Sequence, residues 1–415
     1  VNAFAYKHGE LHVEDLSLRV IAQRFGTPAY VYSRASILEN LAAYQRAFAG
    51  VPHLLCYSVK ANSNLAVLNL LARQGAGFDI VSGGELARVL AAGGDPGKIL
   101  FSGVGKSEAE IRLALAQDIH CFNVESAPEL ERLDALAAGM GRRARVSLRV
   151  NPDVDAKTHP YISTGLRENK FGVPFGAALE VYRAARNMAH IELIGLDCHI
   201  GSQITELSPY VDAMNRLLLL VDRLAAEGIA LRHLDLGGGV GIAYQGEATI
   251  DLARYAAAVA PALAARGLGL MLEPGRSIIG GAGILLTRVE YVKRVEGRSF
   301  AIVDAAMNDL MRPALYGAYH TIEPVCPRAE ANETFQIVGP ICESADFLGH
   351  DRELALHAGD LLAVRDAGAY GFVMSSNYNT RPRACEVMVN AASSQIVRER
   401  ETVAQLFAGE HLSSD

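Results

Sequence analysis

At 415 residues, half of them hydrophobic and a fifth charged, the chain has the apolar side chains for a large core and the length for one large domain plus a smaller one. A net charge of -7 without any basic run argues against nucleic acid as a partner, and no apolar stretch reaches membrane-spanning length, so LLLLV at 217–221 reads as one face of a helix. The N-terminal VNAFAYKHGE lacks the charged-then-apolar layout of a secretion signal, and a cytoplasmic protein is the expectation.

In chain order, the first predicted strand is AYVYS (29–33), an extra strand expected to pair with the C-terminal part of the chain. Eight short apolar runs follow: LLCYSV (54–59), GFDIVS (77–82), ILFSG (99–103), IHCFNV (119–124), RVSLRV (145–150), IELIGLDCHI (191–200), LRHLDLG (231–237) and LGLMLEP (268–274). Between them lie segments with helical spacing, such as GGELARVLAAGG (83–94), SEAEIRLALAQ (107–117) and SAPELERLDALAAG (126–139). The last of these opens on a Ser126 cap with Pro128 and Glu129 in its first turn. Strands alternating with helices predict parallel βαβ units, and eight of them predict a TIM-like (β/α)8 barrel. A doubly wound open sheet would carry a Gly-rich fingerprint after its first strand, where this chain has VKANSN.

After about residue 280 the texture changes. ILLTRVEYVKRVEG, SFAIVDAAM, TFQIVGPIC, DLLAVRDAGAY and RACEVMVN alternate like strands and few helical patterns remain, so a β-rich sandwich or barrel domain is expected. The expected division is a barrel over 34–280, with 1–33 and 281–415 forming the β-rich domain. Beyond Glu401 a short helix and a polar tail are expected. The six cysteines (Cys56, Cys121, Cys198, Cys326, Cys342, Cys385) show no metal-ligand spacing and are expected as reduced thiols, mostly small buried hydrophobes with one exception.

In such a barrel the functional groups come from the C-terminal ends of the strands. Those ends read Lys60, Asp79, Ser102, Asn123, Arg149 with Asn151, His199 with Ser202, Gly237–Gly239, and Glu273 with Arg276. Such a ring fits a polar-lined site. The loops after strands seven and eight, DLGGGVGI and EPGRS, lie where barrels bind phosphate, and successive glycines let backbone N–H groups close on an anion. Taken alone, GGG makes a tight turn, His199 is a packed core residue, Glu273 pairs with Arg276, and Lys60 is a strand reaching water. Taken together, a partly desolvated amine facing a phosphate cradle suits pyridoxal 5′-phosphate, an aldehyde that forms a Schiff base with lysine. His199 would then lie against the ring, Ser202 reach the phosphate, and Glu273 meet the pyridine nitrogen.

With these residues assembled, the chain resembles the alanine-racemase-like (fold-type III) pyridoxal-phosphate enzymes, and among them the diaminopimelate decarboxylases. The resemblance runs through YSVKAN (57–62), FDIVSGGEL (78–86), RVNPDVDAKTHPYISTGLRENKFG (149–172), HIGSQI (199–204), DLGGGVGI (235–242) and EPGRSI (273–278). It continues through NDLMRPALYGAYH (308–320), GPICESADFLG (339–349) and DAGAYGFVMSSNYN (366–379), with Ala384 departing from an expected proline. The resemblance implies a catalytic set of Lys60, His199, Glu273 and Cys342, the last as proton donor to the carbanion. It implies cofactor contacts from Lys60, Asp79, His199, Ser202, Gly238, Gly239, Glu273, Gly275, Arg276 and Tyr370. Substrate contacts would come from Arg276, Arg312, Tyr316, Glu343 and Tyr370, with no metal. It further implies a homodimer with shared active sites, the Cys342–Glu343 segment crossing to the partner subunit. Two arginines with a tyrosine suit a distal carboxylate and Glu343 an adjacent ammonium, which points to meso-2,6-diaminopimelate rather than the distal cation of ornithine, arginine or lysine. A racemase would prefer arginine at the pyridine nitrogen where Glu273 stands. A non-catalytic pyridoxal-phosphate carrier or regulatory homologue should have lost Lys60 or the Cys342–Glu343 pair.

Overall fold

The computed structural model describes residues 3–155 and 170–413, and the chain divides into two compact units. One comprises Leu41–Ala243 and Ala248–Ser277; the other comprises Val1–Asn40, Tyr244–Glu247 and Ile278–Asp415.

The first unit is a closed parallel barrel. Its barrel strands are β1 (His53–Ser58), β2 (Gly77–Ile80), β3 (Ile99–Phe101), β4 (Cys121–Val124), β5 (Ala144–Asn151), β6 (Ile191–Asp197), β7 (His233–Asp235) and β8 (Gly269–Leu272), with a two-residue strand Val173–Pro174 paired to the end of β5. Each pairs in parallel with the next, and β8 returns to β1 through Leu270↔His53, Met271↔Leu54 and Leu272↔Leu55. All eight predicted barrel strands are present. They were readable because strands covered on both faces appear as continuous apolar runs. The predicted helices stand between them, with Ser107 closing a full capping box on Glu110 and Ser126 accepting from the Glu129 N–H.

Residues two apart share a face of a strand, and here that face changes character within one step. Cys56, Leu100, Cys121, Ile194 and Met271 form an apolar cluster inside the barrel. Two residues further toward the C-terminal ends stand Ser58, Ser102, Asn123 and Glu273, all buried. The polar site therefore lies directly on an apolar floor.

The second unit is built on a mixed sheet whose longest strand, Gly283–Val295, pairs along one part with Ala29–Ser33 and Leu361–Val364 and along another with Arg298–Val303. AYVYS is thus the central strand expected to join the C-terminal part, antiparallel to Gly283–Val295 and parallel to Cys385–Asn390. Val31, Ile284, Leu286, Ala363 and Val387 form its core together with Leu11 and Leu18 from the N-terminal segment. Strands Phe347–Leu354 and Ser393–Arg398 were not singled out from sequence, because their polar, half-exposed residues weaken the apolar signal. The expected C-terminal helix is the single turn Val403–Leu406.

One glycine is fixed by barrel packing. Gly195 on β6 is registered opposite His233 on β7, and a Cβ at residue 195 would collide with the His233 ring. His233 is buried and its imidazole is held down to about 3 by that burial, with His120 and Arg232 adding to the effect. Gly195→Ala is therefore expected to cost about 1–3 kcal/mol through overpacking. Thermal unfolding midpoints of Gly195→Ala, His233→Ala and the double variant should show the double variant less destabilised than the sum of the singles; strict additivity would mean that the two residues do not compete for space.

Candidate active site

β1 stops at Ser58, and Val59–Ala61 form a 3₁₀ turn that carries Lys60. The expected strand ran one residue further. It ends early because the Ser58 N–H donates to the Pro274 carbonyl and the Tyr57 hydroxyl donates to the Asn62 carbonyl at 3.0 Å, folding the chain over. Lys60 Nζ lies 2.9 Å from Asp79 Oδ2, which also accepts from Ser58 Oγ at 2.9 Å. Asp79 is fully buried, whereas the Lys60 side chain keeps 36% of its exposure. The amine thus stands at a boundary, half in solvent and drawn inward by a buried acid.

Glu273 is held from β3 and β4. Asn123 Nδ2 donates to Glu273 Oε1 at 3.2 Å and to Ser102 Oγ at 3.1 Å. Burial raises the Glu273 carboxyl well above its usual range, and Asp79, Asp235 and Asp197 push it further in the same direction against the pull of Lys60. Asp197, Asp235 and Glu273 bring one oxygen each within 4.8 Å of the others. Burial likewise raises Asp197, and it pushes Asp235 up to about 7 even though Asp235 Oδ1 accepts the Gly237 N–H at 2.8 Å. Asp197 and Asp235 were missed in the sequence. Their signal is an acid inside an otherwise apolar run, in IGLDC and HLDLG.

Arg149 is a buried cation at this end of the barrel. Its guanidinium lies 2.9 Å from Glu125 Oε1, and Glu125 also accepts the backbone N–H groups of Gly103 at 3.1 Å and Gly172 at 2.9 Å. Glu125, too, was absent from the predicted ring. Most of the 149–172 motif lies outside the described residues.

The glycine loop packs with no room to spare. A Cβ at Gly238 would run into the Glu273 carbonyl, and one at Gly239, whose φ is +95°, would run into the Gly201 carbonyl. Gly275 lies against Ala61 and Ser58, where a Cβ would stand 3.0 Å from both of their Cβ atoms. The Gly238 N–H donates to His199 Nδ1 at 3.2 Å, so the ring's proton sits on Nε2. Burial, with Arg149 and Lys60 nearby, depresses the His199 pKa well below its usual value, which keeps the ring neutral. Arg276 Nη2 donates to Ser202 Oγ at 3.0 Å. The barrel therefore brings together Lys60, Asp79, His199, Ser202, Gly238, Gly239, Glu273, Gly275 and Arg276. A close-packed glycine loop, a hydroxyl braced by an arginine and an amine across the mouth form a donor set that fits a phosphate-bearing aldehyde.

The second unit holds the remaining predicted residues. Arg312 opens the short helix Arg312–Tyr316 and is buried, while Tyr316 is half-buried. Cys342 and Glu343 are exposed on a turn that Asp346 shapes by accepting the Ile341 N–H at 2.8 Å; the Cys342 N–H donates to Asn379 Oδ1 at 2.8 Å. Tyr370 adopts left-handed backbone with φ 55°, a costly geometry for a non-glycine residue. All six cysteines are free, and Cys326 joins Cys342 as exposed, one more than expected.

The family of pyridoxal-dependent decarboxylases, through its pyridoxal binding domain, matches residues 34–280. The fold and the family match thus define a pyridoxal-phosphate-dependent carboxy-lyase. Diaminopimelate decarboxylase of Pseudomonas aeruginosa is 61% identical over 412 residues, covering 99% of each chain. Two solved diaminopimelate decarboxylases, each complexed with L-lysine, superpose closely. That of Helicobacter pylori has a TM-score of 0.92 at 43% identity over 94% of this chain and 98% of its own. That of M. jannaschii has a TM-score of 0.95 at 38% identity over 99% and 98%. The chain belongs to the diaminopimelate decarboxylase family.

Both members of the Arg149–Glu125 pair are buried, with side chains 9% and 2% exposed. Glu125→Ala should leave the guanidinium without its nearest counter-charge and cost about 3–5 kcal/mol. Glu125→Gln, which retains one acceptor oxygen, should lose less. Thermal unfolding of the three proteins checks the order, and an unchanged midpoint for Glu125→Ala would contradict it.

Proposed function

We propose that this chain removes carbon dioxide from meso-2,6-diaminopimelate to give L-lysine, the last step of lysine biosynthesis, on the residues gathered at the barrel mouth. The observation that carries the assignment of residues is the Lys60–Asp79 pair, set in the same ring of strand ends as the glycine loop and the buried Glu273. Bound pyridoxal phosphate supplies the electron sink for the pair of electrons released when carbon dioxide leaves.

The chain's own groups do the rest. Lys60 offers the amine that holds the cofactor's aldehyde, and Asp79 keeps that amine directed into the barrel. Ser202, Gly238, Gly239, Gly275 and Arg276 would hold the phosphate, neutral His199 would meet the ring, and Tyr370 would be a further cofactor contact. Glu273 would meet the pyridine nitrogen. Crowded by three other acids, it would gain most from a cationic N–H partner, which would keep a bound ring electron-poor. Arg276, Arg312 and Tyr316 meet carboxylate, and Glu343 meets ammonium. Cys342 gives the proton to Cα after carbon dioxide departs, a general-acid step.

The exposure of Cys342 and Glu343 supports a homodimer in which each copy supplies this turn to the other's site. The cytoplasm is the proposed location, and among the described residues no helix is long and apolar enough to cross a membrane.

Carbon dioxide release should be far faster from meso-diaminopimelate than from ornithine, arginine or lysine. Lys60→Ala should lose both turnover and the visible absorbance of lysine-bound cofactor. Cys342→Ala should keep that absorbance and lose about 10²–10⁴-fold in turnover, the usual weight of a general acid. Mixing the two variants should restore about one quarter of wild-type activity, because half the dimers are mixed and each then carries one intact site. No recovery from well-mixed subunits would rule out shared sites.

A further inference from the structure

The motif NDLMRPALYGAYH ends on His320, a residue given no role in the reaction so far. It is completely buried and lies beside Arg312, which is also buried. Arg312 Nη1 and His320 Nε2 are 2.7 Å apart, and His320 Nδ1 lies 2.7 Å from the Arg365 carbonyl. A guanidinium only donates, so Nε2 must carry the lone pair and the proton must sit on Nδ1. From Nδ1 that proton is donated to the Arg365 carbonyl. Two independent hydrogen bonds therefore specify the same neutral tautomer.

Other contacts complete the clamp. Arg312 Cζ stands 4.7 Å from the centre of the Tyr244 ring, and that ring meets His320 edge-on at 5.3 Å. The backbone of His320 is held as well, because Arg352 Nη2 donates to its carbonyl at 3.1 Å. A planar group with one N–H aimed at a fixed acceptor and its face on an aromatic ring cannot rotate freely about Cζ. The direction from which a carboxylate can meet it is then set in advance, which matters for a fork-like donor.

We infer that His320 is a positioning residue for substrate recognition: as a neutral acceptor it orients the Arg312 guanidinium toward the substrate's distal carboxylate without cancelling its charge. An aspartate or glutamate in its place would orient Arg312 equally well but would compete with the substrate for the same cation. This inference rests on the proposed role of Arg312 in holding that carboxylate.

The test compares His320→Phe, His320→Gln and Arg312→Lys in the cofactor-loaded enzyme, following kcat and KM for meso-diaminopimelate and inhibition by two ligands. L-Lysine retains the distal carboxylate; cadaverine has none. Removing a hydrogen bond to a charged group predicts that His320→Phe raises KM about tenfold or more while kcat changes less than about threefold. Inhibition by L-lysine should weaken in parallel, inhibition by cadaverine should not change, and the visible spectrum should match wild type. His320→Gln, which keeps an acceptor oxygen, should recover most of the loss. If His320→Phe does not fold, His320→Asn, too short to reach Arg312, provides the same comparison. An unchanged KM for His320→Phe, or equal weakening of both inhibitors, would overturn the positioning role. Should Arg312→Lys raise KM while His320→Phe does not, only the role of His320 falls; should Arg312→Lys leave KM unchanged, the role of Arg312 falls and the inference with it.

Discussion

Several buried acids converge at one end of the barrel, and the site depends on how their charge is balanced. Asp79, Asp197, Asp235, Glu273 and Glu125 are all buried there, with Arg149 and Lys60 as cations that pair with two of them. An unpaired charge out of water is too costly to persist, so such groups pair, accept hydrogen bonds or take up protons. The cluster uses all three responses. Glu125 pairs with Arg149, Asp79 draws in the amine of Lys60, and Glu273, Asp235 and Asp197 are pushed toward their protonated forms. The result is a site with an excess of acid, suited to a ligand that brings a cationic N–H to Glu273.

That balance explains why the loops are so tightly stitched. The Glu273 N–H donates to the Gly237 carbonyl at 2.8 Å, and the Ser58 N–H donates to the Pro274 carbonyl at 3.1 Å. Strand ends from β1, β7 and β8 are thereby locked to one another, and a carboxylate, a glycine loop and a lysine keep their spacing. Tyr210 donates to the Gly238 carbonyl at 2.7 Å from the helix Ser208–Ala226, bracing the same loop from behind. Function here sits on strand termini backed by packed helices, which hold groups to tighter tolerances than free loops do.

The barrel was legible in the sequence because both faces of its strands are covered, so each reads as an unbroken apolar run closed by a polar residue. Lys60, Asp79, His199, Ser202, Gly239 and Glu273 could be picked out because the pattern places them all at the same end. Asp197, Asp235 and Glu125 could not, since a single acid beside an apolar run looks like the place where a strand meets water. What distinguishes them is three-dimensional: Asp235 stands beside Glu273 only because β7 and β8 are neighbours, a register that no local pattern encodes. The same limit hid His320. Its partners Tyr244, Arg312 and Arg365 are dispersed along the chain, and only the folded unit shows that the ring has one acceptor and one donor to offer them.

Two cations in this protein face the same difficulty and meet it differently. In its proposed role Lys60 must be held at one spot yet be free to react, and its partner is a fully buried carboxylate that accepts at 2.9 Å. Arg312, in its proposed role, never needs to lose its proton but does need its charge when a carboxylate arrives. The imidazole of His320, locked as the Nδ1–H tautomer, supplies direction without adding a negative charge of its own. The choice of partner follows from what each cation must do. In the proposed roles, the amine that reacts is paired with an acid, and the guanidinium that recognises an acid has a neutral acceptor fixing its direction. Under the proposed function, recognition and chemistry thus rest on the same physical rule, a partner chosen to fix a cation's position, at Asp79 and His320.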